Sequence, residues 1–299
     1  LRVLLNRKPV DGPWGGGNAF VKAFIQGLEE RGHEVVFNLE ENHDCFFIMD
    51  PRPDANCPGL GNYLQRFGTG YPTPIIQRIN ECDARKNTEH MDYLLLDCSQ
   101  YLTKTIFVSD WMKSYFLKKG WRCANNFVIH NGVDKSIFKP SEMISFSKKK
   151  SVVAHHWSNN ILKGFDAYEF LDYLAGKGII DFTYIGRHRN SFQNAKLIEP
   201  CSGEKLANSL AIHDIYVSAS RFDPGPNHIL EALAVGLPTY VHRDGGGAVE
   251  FAGGYHVFSN LCELEEIILK NSHEKNHYNP TTWEQSIEQY IRVVESCES

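Results

Sequence analysis

Two carboxylates and a turn stand out for the chemistry their spacing would allow. In Ser220-Arg-Phe-Asp-Pro-Gly-Pro-Asn-His-Ile-Leu-Glu-Ala-Leu-Ala-Val-Gly-Leu-Pro238, Asp223 precedes a helical pattern and Glu231 falls inside it. Gly225 and Pro226 supply the turn, Asn227 is the expected N-cap, His228 follows it, and Gly236 with Pro238 ends the helix. The free N–H groups of such a first turn, helped by the helix dipole, can hold a diphosphate. The two carboxylates could then grip sugar and ribose hydroxyls on either side. A second candidate is Gly15, Gly16 and Gly17, which follow the first apolar run and let the backbone approach a ligand at a helix start. The plain alternatives are a helix with an acidic first turn and a flexible surface turn.

Other patterns argue against competing chemistries. His273-Glu-Lys-Asn-His277 satisfies the H-E-x-x-H zinc pattern, but its polar, proline-bounded flanks predict an exposed loop instead of a helix. The chain has no Asp-x-Asp pair, no G-x-G-x-x-G and no P-loop. No metal and no cofactor is therefore expected. The eight cysteines form no C-x-x-C pair, which predicts reduced thiols in a reducing compartment. A net charge of -5 gives no pull toward nucleic acid. No apolar run approaches the roughly 20 residues a bilayer requires, and Leu1–Asn6 is too short for a signal-peptide core. The expectation is a cytoplasmic protein. The aromatic and lysine-rich stretch Asp110–Arg122 leaves peripheral membrane contact open beside the plainer reading of an ordinary amphipathic helix.

These residues need elements to position them. Short apolar runs (Val3–Leu5, Val35–Phe37, Cys45–Met49, Pro74–Ile79, Thr105–Val108, Phe127–His130) alternate with helical patterns, one of them Ala19–Arg31. The rhythm restarts at Ser151–Ala154, Phe182–Ile185, Ile215–Ser218 and Pro238–Val241. Such alternation predicts α/β architecture with two doubly wound parallel sheets, their strand ends facing a cleft. The expected domains are 1–140 and 151–299, joined by a linker at 141–150 rich in serine and lysine. The last amphipathic stretch, Trp283–Val294, could pack back on the first domain.

Taken together, the motifs resemble the retaining nucleotide-sugar glycosyltransferases of the GT-B fold, in group 1 (family 4-like). The 223–231 segment resembles that family's Glu-x7-Glu region, with Asp223 in place of the first glutamate. Val128–Pro140 resembles its strand-end motif before the interdomain linker, a structural feature. Lys163-Gly164 matches a Lys-Gly pair that meets the donor phosphates, and Asp244–Glu250 resembles a Gly-Gly-x-x-Glu loop near the donor. The resemblance covers nearly the whole chain.

It implies transfer of a sugar from a nucleotide-sugar donor to a hydroxyl of a glycan or other acceptor, with retention and without metal. Lys163, Asp223 and Glu231 would be the catalytic set, with Glu231 on the ribose. The donor would also meet Gly15–Gly17, His156, Ser158, Arg187, Gly225, Pro226, Asn227, His228 and Glu250. Ser158 stands where the family carries an arginine, and Arg187 or His156 could replace it. Gln77 occupies a family histidine position on the acceptor side, with Arg78 and Asp83 beside it or paired to each other. The departures at Ser158 and Asp223 keep two alternatives in play: an inactive sugar-nucleotide or glycan-binding subunit, and a GT-B-fold epimerase.

Overall fold

A computed structural model describes residues 1–11, 16–54, 56–70, 72–140, 149–189, 191–270 and 274–297. The chain divides into two compact units, Leu1–Gly132 with Trp283–Ser299, and Val133–Thr282. The division falls at Gly132/Val133, ahead of the expected change at 140. The reason is local: the Val133 N–H donates to the Thr281 carbonyl at 2.9 Å, and Val133 and Phe138 are buried in the second unit's core. Residues 141–148 of the expected linker lie outside the described residues.

Among the described residues, twelve strands form two sheets. They are β1 (Arg2–Leu5), β2 (Glu34–Val36), β3 (Cys45–Ile48), β4 (Ile75–Ile79), β5 (Lys104–Phe107), β6 (Asn126–Val128), β7 (Lys150–His156), β8 (Ile180–Gly186), β9 (Lys196–Ile198), β10 (Ile215–Ser218), β11 (Thr239–His242) and β12 (Val257–Phe258). The helices are α1 (Gly16–Glu30), α2 (Leu60–Phe67), α3 (Asp83–Lys86), α4 (Met91–Cys98), α5 (Asp110–Lys118), α6 (Phe165–Gly176), α7 (Gly203–Ala211), α8 (Asn227–Ala234), α9 (Ala248–Ala252), α10 (Leu261–Leu269) and α11 (Trp283–Glu295).

In the first unit the order is β2-β1-β3-β4-β5-β6, and every pairing is parallel. Parallel strands buried on both faces read as unbroken apolar runs, as Cys45-Phe-Phe-Ile48 does. One face packs on Phe20, Phe24 and Leu28 of α1 with Ile287, Tyr290 and Val294 of α11. The other packs on Tyr63, Leu95, Met112 and Phe116 from α2, α4 and α5. Burying each such phenylalanine contributes about 1.5–3 kcal/mol. The aromatics of Asp110–Arg122 belong to this second face. Trp111 and Tyr115 pack against it, and the buried Trp121 donates its Nε1–H to Thr105 Oγ1 at 3.1 Å. They face the core, which favours the ordinary-helix reading of that stretch.

In the second unit the order is β12-β11-β10-β7-β8-β9, again all parallel. The sequence order of the strands reverses between β7 and β10, and in the first unit between β1 and β3. Doubly wound sheets bind ligands at such a switch point, outside the carboxyl ends of the strands. Among the described residues, no helix is long and apolar enough to cross a membrane.

Candidate active site

The switch point of the second unit brings together residues from four parts of its chain. β7 ends in His155-His156, which are 7% and 2% exposed. Their neighbour across the gap is the end of β10, Ser218, followed by Ala219 and Ser220. Lys163 arrives from the loop after β7, and His228 and Glu231 from α8.

Lys163 is held in place by its own turn. Asn160 Oδ1 accepts the Leu162 N–H at 2.9 Å, which caps the short turn Ile161–Lys163. Gly164 then adopts φ +76, and a Cβ there would lie 2.3 Å from the Ala219 carbonyl oxygen. Only glycine lets this turn sit so close to the end of β10. Lys163 Nζ reaches Asp223 Oδ2 at 2.8 Å, with side chains 14% and 6% exposed.

Asp223 is itself clamped. Its N–H donates to the Gly245 carbonyl at 3.2 Å, and its carbonyl accepts the Gly247 N–H at 2.8 Å. Gly246, at φ +68, allows this contact, because a Cβ would stand 2.7 Å from the Asp223 carbonyl oxygen. The preceding residue, Phe222, has φ +54, a left-handed conformation that costs a non-glycine residue about 1–3 kcal/mol. Strain of this kind is held where surrounding bonds over-determine the backbone, and here it aims the carboxylate at Lys163.

The histidines are ordered by partners of their own. His155 Nε2 lies 2.9 Å from Glu231 Oε2, and Ser218 Oγ lies 2.9 Å from His228 Nε2. His156 Nε2 bonds the Tyr168 hydroxyl. That hydroxyl also accepts the Ala219 N–H at 2.9 Å, which ties the His156 ring to the end of β10. Burial, then His228, Lys163 and His155, push the His156 pKa well below its ordinary value, so the ring is neutral. Burial likewise pushes the Tyr168 phenol well up and keeps its proton.

α8 begins differently from expectation. The N-cap is Pro226 in an extended conformation (φ -76, ψ 104), not Asn227, which is the first helical residue. The fixed φ of proline sets the entry, and no side chain caps this N-terminus. Gly225 precedes it in the turn.

Other expected site residues lie at the rim or in the other unit. Ser158 is exposed, and its hydroxyl accepts the Asn160 N–H of its own loop at 3.2 Å. Arg187 is exposed and its guanidinium lies 5.4 Å from the Trp157 ring centroid. Glu250 is half-buried on α9. In the first unit, Gly16 and Gly17 open α1 and are exposed, while Gly15 lies outside the described residues. Glu274–His277 has no regular structure, as the loop reading expects, and His273 lies outside the described residues.

Arg78 and Asp83 do not pair with each other. Arg78, 2% exposed, donates to Tyr290 Oη at 3.1 Å and Asn131 Oδ1 at 2.7 Å, and it stacks 4.3 Å from the Phe20 ring centroid. Asp83 accepts the Met91 and Asp92 N–H groups at 3.0 and 2.8 Å, together with the Thr88 hydroxyl. Burial opposes it, yet these donors hold the carboxyl below its ordinary range. Both residues thus have roles inside the fold. Gln77 is fully buried, and its amide atoms have no partner among the described residues.

His155 escaped sequence reasoning. Its signal was its place, at the end of a strand that borders the switch point, beside a histidine already singled out.

Comparison with solved structures places the architecture. The chain has the GT-B fold of two Rossmann-like units. It is similar to HepE from Anabaena, solved with UDP-glucose, at 13% identity over 99% of each chain with a TM-score of 0.72. It is also similar to sucrose-phosphate synthase from Thermosynechococcus elongatus, at 12% identity over 99% of this chain and 98% of that one, TM-score 0.69. A third similar structure is WaaG, a glycosyltransferase of lipopolysaccharide biosynthesis, at 13% identity over 100% and 93% of the two chains, TM-score 0.59. No protein-family model and no curated protein sequence matches the chain.

Proposed function

We propose that the chain is a glycosyltransferase that moves a sugar from a nucleotide-sugar donor to a hydroxyl acceptor, with retention of configuration and without a metal ion. The observation that carries this reading is the joining of Lys163, Asp223, His155 and Glu231 at the switch point of the second unit, beside the start of α8. A fold shared with a protein solved with UDP-glucose is consistent with it.

In the proposed reaction the bond between the sugar carbon and the diphosphate oxygen breaks while the acceptor hydroxyl approaches from the same face. The acceptor oxygen forms the new bond to that carbon, its proton passes to the departing diphosphate oxygen, and the nucleoside diphosphate leaves with the electron pair. Lys163 and the first-turn N–H groups of α8 stabilise the charge that grows on the diphosphate. Asp223 shares Lys163 and meets the sugar, and Glu231 meets the ribose. Arg187, exposed after β8, or His156, buried at the end of β7, takes the place of the missing family arginine. In the second unit Glu250 completes the donor contacts; in the first, Gly16 and Gly17 are the backbone candidates for ligand contact and Gln77, whose buried amide has no partner among the described residues, is the acceptor candidate.

The test is release of nucleoside diphosphate from a panel of nucleotide sugars, in excess chelator, with the product anomer read by NMR. Slow release in chelator and a retained anomer are expected. Loss of release in chelator, restored by manganese, would end the metal-free reading. An inactive binding subunit is the second reading, favoured by the exposed Ser158 at the family's arginine position. It requires donor binding with no release at all.

A further inference from the structure

Glu231 is restrained by a buried neighbour, and that neighbour makes no other side-chain hydrogen bond. His155 lies at the end of β7 and is 7% exposed. Its Nε2 is 2.9 Å from Glu231 Oε2, and its Nδ1 is buried with no partner among the described residues. Two rings hold the imidazole edge-on: Tyr216 at 5.4 Å and 70°, and His228 at 5.9 Å and 86°. The Tyr216 hydroxyl also donates to the His155 carbonyl at 3.3 Å. A carboxylate can only accept, so the Nε2 hydrogen points at Oε2. One oxygen of Glu231 is thereby occupied, and the side chain as a whole is 25% exposed.

We infer that His155 is a positioning residue: it fixes Glu231 so that Oε1 meets the ribose hydroxyls of the donor, and it sets the preference for ribonucleotides over deoxyribonucleotides. This rests on the donor-site reading above. A glutamate on a helix otherwise samples several rotamers, and ordering it before the ligand arrives removes that cost from binding. The contact joins residues on different elements, β7 and α8, and so adds rigidity that α8 alone lacks.

The experiment is calorimetric titration with UDP, GDP and ADP, then with the 2′-deoxy and 3′-deoxy forms of whichever binds most tightly. The parent should prefer the ribonucleotide over at least one deoxy form by about tenfold, the loss of one hydrogen bond to a charged group. His155→Leu should bring that ratio to within about threefold while deoxynucleotide affinity stays within about threefold of the parent. His155→Gln, whose amide N–H can donate to Oε2, should recover most of the ratio. His155→Asn is too short to reach and takes the place of the leucine variant if that one does not fold.

A ratio in His155→Leu equal to the parent's overturns the inference. So does an equal loss for ribo and deoxy forms, which is the mark of packing alone. A parent that binds diphosphates without preferring the ribonucleotide overturns the role of Glu231 and His155 while the donor site stands. A parent that binds none of the three overturns the donor-site reading and this inference together.

Discussion

Among the described residues each sheet has a switch point, and the polar residues at the two are used in opposite ways. In the first unit Asn6, just past β1, accepts the Met49 N–H at 2.7 Å and donates to the Asp50 carbonyl, closing the gap between β1 and β3. Asp50 pairs with Arg52 at 2.6 Å, Arg78 is bonded to Tyr290 and Asn131, and Asp83 caps the start of α4. These bonds tie the unit to itself. In the second unit the polar and charged groups bond to one another across separate elements, Lys163 to Asp223 and His155 to Glu231, at a helix start that no side chain caps. The difference shows what marks a site. A buried arginine or aspartate beside a strand end is as often a strut as a ligand contact, and its bonding partners decide which.

The largest effect expected is on Lys163. An interaction that strengthens as the leaving diphosphate gains charge lowers turnover when removed, not only affinity. Lys163→Ala should reduce turnover at saturating donor by on the order of a hundredfold. A turnover equal to the parent's would move the phosphate site elsewhere. In contrast, Arg78→Met should cost stability, about 2 kcal/mol for leaving Tyr290 and Asn131 without their donor, and lower the Tm by several degrees. Nucleoside diphosphate affinity should not change. If that affinity drops while the Tm holds, the contrast between the units collapses.

Glu231→Ala comes next. With one oxygen committed to His155, a single oxygen remains for the ligand, so nucleoside diphosphate affinity should fall about tenfold, the low end for a charged hydrogen bond. Unchanged binding by calorimetry would make Glu231 an ordinary helix residue.

The second unit should also carry a pH dependence. Burial first, with neighbouring charges, lowers the folded pKa of His156, His213 and His242 below the ordinary 6.5. A depressed folded pKa means the stabilisation is complete above the unfolded value and is lost as pH falls from there toward the folded value. Each such histidine contributes a slope of up to about 1.4 kcal/mol per pH unit in that window. The Tm should fall between pH 7 and 5, and a flat profile would show that these rings are not buried neutral.

The smallest effect is on Asp223. Asp223→Asn removes the counter-charge of Lys163 and should tighten nucleoside diphosphate binding severalfold, while sugar transfer slows. Weaker diphosphate binding in that variant would mean the pair holds the site together and does not compete with the phosphate.

Much of this was legible in the sequence because of how parallel sheets bury their strands. Ile215–Ser218 is buried on both faces and reads as an unbroken apolar-rich run, and its bounds match the strand. β9 and β12 were not legible, since both are edge strands, β9 of three exposed or half-buried residues and β12 of two residues of which only Phe258 is buried. The Asn227 cap was misread because Pro226 took the position with its fixed φ. Turn chemistry gave the place of Glu231 and the family resemblance that of Lys163, but nothing local encodes a contact between His155 and Glu231, or between Lys163 and Asp223. Those pairings exist only once β7 and β10 lie side by side.

The most direct test of the central claim is hydrogen exchange with and without the best-binding nucleoside diphosphate. The account predicts slowed exchange in residues 155–164 and 218–231, at the switch point of the second unit. It predicts no change at 45–51 and 75–83, where the first unit's polar groups are bonded inward. Protection confined to those first-unit segments, with 155–164 and 218–231 unaffected, would contradict the assignment of the donor site.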